Sequence, residues 1–322
     1  MTATLRVGVG MVLALFFGGC QSTSTSTTPP PEETTPLDIT VEATTRAYYE
    51  ARFEPENGVL HGAGQDPDGF GGYTTALGDF LHPRIYMTYV GLTGEVEKVS
   101  EWADNLKAEL ASLPGGVYPQ VGLNMTGGND DGSGQVGDVA EGTYEAQIEA
   151  FIKGLKALER PVYVRIGYEF EGSWNGYDPV GYVAAFIKIT QAMREAELPV
   201  ATVWCSGGGS ANFMAWEDMQ AYYPGDEWVD WWGIDIFSPE EWSNPALPRF
   251  LTRADGHQKP VMIGETTPRY VGVEDGAVSW EKWFQPFFET VYASPQIKAI
   301  CYINWDWYYW SEKLGFEWHD WK

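Results

Sequence analysis

The chain has 322 residues, 44% of them hydrophobic, and can bury one barrel-sized core or two smaller ones. Its formal net charge of -25 argues against nucleic acids and anionic polysaccharides as partners, because a field of that sign repels polyanions. An aromatic share of 15%, with 15 Trp, fits a neutral partner better, and the acidic surface itself serves solubility.

Residues 1–19 read as a secretory signal. Arg6 precedes an apolar run from Val7 to Phe17 that is too short for a stable spanning helix, and Gly18-Gly19-Cys20 follows. Small residues ahead of a lone Cys resemble the lipobox of bacterial lipoproteins, although Phe17 stands where Leu is usual. That resemblance implies a lipidated Cys20 and a cell-envelope location; otherwise the chain is expected to be secreted. Residues 20–37 form a Ser/Thr/Pro tether that cannot build a core, which leaves residues 38–322 as a single folded domain.

From Ile39 on, strand-length apolar runs alternate with amphipathic stretches. The strands are expected at Gly58 to Gln65, Arg84 to Val90, Val117 to Met125, Val162 to Gly167, Pro199 to Cys205, Val229 to Phe237, Pro260 to Thr266 and Ile297 to Trp305. Helical spacing is read over Thr74 to Leu81, Val96 to Leu113, Thr143 to Leu158, Val180 to Glu195, Phe213 to Tyr222, Leu247 to Asp255 and Trp280 to Tyr292. Asp178-Pro179 reads as a cap and first turn for the fourth of these. This pattern predicts a (β/α)8 barrel, with an open doubly wound sheet as the alternative. After Trp305 little chain remains for an eighth helix, so either that helix is short or Ile39 to Asn57 helps cover the barrel. Cys205 and Cys301 sit in apolar strand-like runs and are read as buried free thiols.

The central stretch is Pro161 to Pro179, PVYVRIGYEFEGSWNGYDP. Its strand ends on Tyr168 and Glu169 and opens into an aromatic, polar loop, the place where parallel barrels carry their chemistry. A second acid, Glu265, ends the seventh strand in PVMIGET. Strands four and seven oppose each other across an eight-stranded mouth, so the two carboxyls are expected to face one another. Such a pair suits glycosidic cleavage, and a gap of about 5 to 5.5 Å predicts retention of configuration. Their mutual repulsion, on the order of 3 kcal/mol at an effective dielectric of about 20, would hold one of them protonated near neutral pH.

Arg165, Glu169, Gly172 and Trp174 within VRIGYEFEGSW, together with IGE at Glu265, resemble the signatures of glycoside hydrolase family 26. The resemblance extends more weakly to WWGIDIF and NWDW. It implies a (β/α)8 barrel with Glu169 as acid/base and Glu265 as nucleophile, acting without a cofactor. Tyr168 replaces the family's His, and Phe237 stands where a Tyr often contacts the nucleophile, so a mannan substrate does not carry over directly. The expected partner is a neutral β-linked polysaccharide or oligosaccharide (β-mannan, β-glucan or β-xylan), met by a monomer. A non-catalytic glycan-binding protein on the same barrel is the rival reading.

Trp174, Trp204 and Trp305 are candidate sugar platforms, since indole faces pack on the C–H faces of sugar rings. Tyr168, Asn124, Asn304 and His61, near strand ends, are further candidates for contact with hydroxyls, although either Asn could simply cap a loop. Arg165 shares an inward face with Glu169 and is read as supporting a carboxylate, with Asp235 as its candidate partner. The acidic loop Gly127 to Gly142 lacks the ligand spacing of an EF-hand and reads as solvated rather than Ca²⁺-binding.

Overall fold

The computed structural model describes residues 3–7, 37–41, 45–78, 81–126, 135–208 and 215–315. Cys20, most of the signal and tether, and residues 127–134 of the acidic loop lie outside them. Ala3–Val7 pairs with Leu37–Val41 as an antiparallel ribbon separate from the main sheet.

The main sheet is a closed barrel of eight parallel strands. They are β1 (Leu60–Gly64), β2 (Ile85–Gly91), β3 (Tyr118–Asn124), β4 (Val162–Ile166), β5 (Val200–Gly207), β6 (Trp231–Ile236), β7 (Val261–Thr266) and β8 (Ile297–Ile303). Because side chains alternate along a strand, each strand feeds two apolar cores. Ile85, Met87, Tyr163, Val203, Trp231 and Met262 fill the barrel. Tyr86, Val164, Trp204, Trp232, Ile234 and Ile263 face the helices instead.

The helices fall between the strands. α1 (Pro67–Leu77) starts well before the expected Thr74, because Asp66 caps the Gly69 N–H at 2.8 Å and Pro67 occupies the first turn. α2 (Val96–Ser112) follows β2, and α3 (Val136–Glu141) and α4 (Glu145–Ala157) follow β3. α5 (Pro179–Glu195) begins at the Asp178-Pro179 cap, with the Asp178 carboxylate accepting from the Gly181 N–H. α6 (Trp216–Gln220), α7 (Pro239–Trp242), α8 (Ala246–Gly256), α9 (Ala277–Ser279), a π turn at Trp280–Phe284 and α10 (Gln285–Ala293) precede β8.

Both solutions to the missing eighth helix are used. α11 (Trp307–Leu314) is short, and residues 45–57 close the end of the barrel at which the strands begin. Phe53 enters the barrel core, and its carbonyl accepts from Tyr163 Oη at 2.7 Å. Arg52 donates to the Val200 carbonyl while its own carbonyl accepts from Trp231 Nε1, both at 2.7 Å. Lys298 and Glu54 form a fully buried ion pair at 3.5 Å beneath this plug, with Lys298 Nζ also donating to the Ala47 carbonyl. Cys205 and Cys301 are free and buried.

Candidate active site

The opposite end of the barrel, where the strands finish, carries the charged residues. Arg165 points inward from β4 and is fully buried. Its Nη1 donates to both oxygens of Asp235, at 2.8 and 3.0 Å, and its Nη2 donates to Glu265 Oε1 at 2.5 Å. The guanidinium lies over the Tyr168 ring, 4.8 Å from Cζ to the ring centroid. Burial alone would lower the guanidinium's pKa; Asp235 and Glu265 more than offset it and hold the cation firmly. Burial pushes the Asp235 carboxyl upward, and Arg165 pulls against it.

Glu265 reaches this network through a departure from strand regularity. Ile263 and Thr266 of β7 pair with Ile234 and Ile236 of β6, and the register against β8 shifts at the same place. β7 therefore carries one extra residue, a bulge, at Gly264-Glu265. Strict alternation from inward Met262 would turn Glu265 toward the helices. The bulge lets Gly264 and Glu265 both face the barrel. Gln120, buried on β3, crosses the interior and donates to the Gly264 carbonyl at 2.9 Å. Glycine is required here: a Cβ at 264 would stand 2.6 Å from Asp235 Oδ1 and 2.9 Å from Arg165 Nη1.

Glu169 sits just past β4 with φ of +50°, a conformation that side chains rarely adopt and that turns the chain out of the strand. Asn175, buried in the following loop, secures the turn by donating to the Tyr168 and Glu169 carbonyls at 3.0 and 2.9 Å. Trp174 Nε1 donates to Glu169 Oε2 at 2.9 Å. Burial, then the charges of Asp235, Glu265 and Glu171, push the Glu169 carboxyl well above the usual range, with Arg165 opposing. Of the carboxyls gathered here, Asp235 and Glu265 share the cation, while Glu169 tends to keep its proton.

The remaining candidates divide by the face they occupy. Trp305 packs with the barrel-interior cluster at the end of β8 and stacks on Trp310 at 4.9 Å, and Trp174 is about half exposed at the mouth. Trp204 is not a platform: it is fully buried on the outer face of β5, stacked on Phe170 at 4.6 Å with its Nε1 donating to the Tyr222 carbonyl. His61 is corrected likewise, since alternation places it outward, beside Tyr73 Oη at 3.2 Å on α1. Asn304 uses its amide on the Gly69 carbonyl at 2.8 Å, and Asn124 Oδ1 accepts from the Thr126 N–H and hydroxyl, so both hold loops.

Three residues of this site are absent from the sequence reading. Tyr89 lies within the barrel on β2, accepts from Arg165 Nη2 at 3.5 Å, and packs edge-on against Tyr168 at 5.4 Å. Gln120 anchors the bulge, as above. Glu171 lies beyond Glu169 and accepts from Ser206 Oγ at 2.7 Å. Inward parity with Ile85 and Met87 marks Tyr89, and the same rule marks Gln120; no comparable signal marks Glu171.

Residues 134–289 match the model of glycosyl hydrolase family 26. The chain is 29% identical over 295 residues to a beta-1,3-xylanase of Alcaligenes sp., covering 80% of this chain and 58% of that protein. It is 30% identical over 287 residues to a beta-1,3-xylanase of Vibrio sp., covering 80% and 59%. The chain thus spans just under three fifths of the length of these two relatives. The fold is similar to the catalytic domain of a GH26 endo-beta-1,4-mannanase of Bacillus sp. JAMB-750, with a TM-score of 0.58, 14% identity and 76% of each chain covered. It is also similar to GH26C from Muricauda sp., with a TM-score of 0.59, 14% identity and coverage of 77% and 79%.

The class these findings define is the (β/α)8 barrels, with residues 134–289 similar to the glycosyl hydrolases of family 26. Its similar proteins include the beta-1,3-xylanases of Alcaligenes sp. and Vibrio sp..

Proposed function

We propose that the chain is a retaining glycoside hydrolase that cleaves β-linkages in a neutral polysaccharide by double displacement. Glu265, salt-bridged to Arg165, attacks the anomeric carbon, while Glu169 protonates the departing glycosidic oxygen. In the second half-reaction Glu169, now a carboxylate stabilised by the Trp174 indole N–H, takes a proton from water as the water oxygen bonds to the anomeric carbon and the bond to Glu265 breaks. The observation that carries this reading is the unequal treatment of the two acids: one is salt-bridged at 2.5 Å, the other driven toward its protonated form by burial and by its neighbours.

Among β-mannan, β-glucan and β-xylan, the relatives favour xylan with 1,3 linkages. Trp174 and Trp305 would supply the stacking faces. Export, through a signal at residues 1–19 and a lipid on Cys20, and action as a monomer complete the proposal. The test is a reducing-sugar screen on β-1,3-xylan, β-1,4-xylan, β-mannan and mixed β-glucans, run beside Glu265→Ala and Glu169→Ala. Activity on β-1,3-xylan that both variants lose by at least about 1,000-fold is expected. Binding without turnover by the wild type would favour the glycan-binding reading, and turnover unchanged in Glu265→Ala would remove the nucleophile.

A further inference from the structure

Glu171 and Glu169 converge on one point. A Cβ added at Gly207 would stand 3.3 Å from Glu171 Oε1 and 3.4 Å from Glu169 Oε1, so the glycine at the end of β5 is what lets the two carboxyls approach. Ser206 Oγ holds Glu171 Oε1 at 2.7 Å, while Glu171 Oε2 is buried with no hydrogen-bond partner among the described residues. A buried carboxyl with one oxygen tethered and the other unsatisfied is costly unless it has a use.

Resting on the hydrolase reading, we propose that Glu171 is a positioning residue for Glu169: fixed by Ser206 beside Gly207, its negative charge keeps the proton on the acid/base. Two carboxylates flanking one glycine in a largely buried pocket do not readily ionise together, so the pair retains one proton over a range in which an isolated glutamate would have lost it. The other charged groups acting on Glu169 are Asp235 from β6, Glu265 from β7 and Arg165 from β4, beside the phenols of Tyr168 and Tyr177. Arg165 is already engaged by Asp235 and Glu265, which leaves Glu171 as the acid near Glu169 without a cation of its own.

The Ser206 hydroxyl has one hydrogen and two acceptors within reach, Glu171 Oε1 at 2.7 Å and the Gly207 carbonyl at 3.0 Å. Donation to Glu171 stabilises its charged form. When Glu171 takes a proton, the hydroxyl turns to the Gly207 carbonyl. Burial raises the Glu171 carboxyl to about 7, against the pull of Ser206 and nearby backbone N–H groups, so its charge appears in the neutral range.

The test reads the proton directly and needs no substrate. The side-chain carboxyl carbon of Glu169 is followed by ¹³C NMR from pH 4 to 10, assigned by its disappearance in Glu169→Gln. In Glu171→Gln its midpoint is expected to fall by about one pH unit, and in Ser206→Ala by a smaller amount. Glu171→Asp, which keeps the charge, should recover at least about half of the drop. Thermal melts establish that each variant is folded. If hydrolysis is present, the alkaline limb of kcat/KM moves down with the midpoint. A midpoint that stays within about 0.2 unit in both Glu171→Gln and Ser206→Ala, or that rises, overturns the inference. Failure to hydrolyse any glycan would sink the functional reading while the titration still decides this one.

Discussion

Replacing Arg165 with Met removes the one cation that joins two inward carboxylates. Arg165 and Asp235 are fully buried and the Glu265 side chain is 10% exposed, so water cannot make up the loss. The two carboxylates would lie roughly 5 Å apart, and at an effective dielectric of about 20 they repel by about 3 kcal/mol. Breaking a buried pair by deleting one partner costs about 3–5 kcal/mol in general, which agrees. The sign with pH follows from linkage: without Arg165 the folded carboxyl pair holds protons that the unfolded chain releases above about pH 4, so stability falls as pH rises. Urea unfolding of wild type and variant should therefore show a deficit of about 3–5 kcal/mol at pH 8 that shrinks toward pH 5. A deficit below about 1 kcal/mol at pH 8, or one of equal size at both pH values, would mean that Arg165 only fills space.

Gly264→Ala forces a methyl to within 2.6 Å of Asp235 Oδ1, so it should lower stability by about 1–3 kcal/mol in urea and cut turnover by moving Glu265. Trp174→Phe keeps the ring but removes the N–H on Glu169; a kcat loss of about 5- to 15-fold with little change in KM is expected, whereas Trp174→Ala should also raise KM. Lys298→Met strands Glu54 in the plug at the far end of the barrel, which should cost about 3–5 kcal/mol by urea unfolding while kcat of the folded enzyme at 25 °C is unchanged.

The barrel is legible in the sequence because eight apolar runs have strand length and the stretches between them have helical spacing. α1 was legible only in part. Its glycines at 69, 71 and 72 hide the helical signal, and its true start rests on the Asp66-Pro67 cap. Alternation within a strand explains why Arg165 and Asp235 meet, and it would also have separated Trp204 and His61 from the mouth. Glu265 is the instructive case, because alternation from Met262 directs it away from the site and only the bulge brings it in. A bulge is fixed by contacts from distant strands, here the Gln120 amide and the tight fit of Gly264 against Asp235 and Arg165. Glu171 was hidden for a related reason. The left-handed turn at Glu169 redirects the chain, and strand parity says nothing about side chains beyond it.

The central claim, that Glu265 forms the glycosyl-enzyme while Glu169 handles the proton, is tested most directly by trapping. A 2-deoxy-2-fluoro β-xylobioside with an activated leaving group, incubated with the enzyme and followed by peptide mass spectrometry, should leave its sugar on the peptide containing Glu265, and leave none in Glu265→Ala. A label on any other residue, or a natural-substrate product of inverted anomeric configuration by ¹H NMR, would contradict the account.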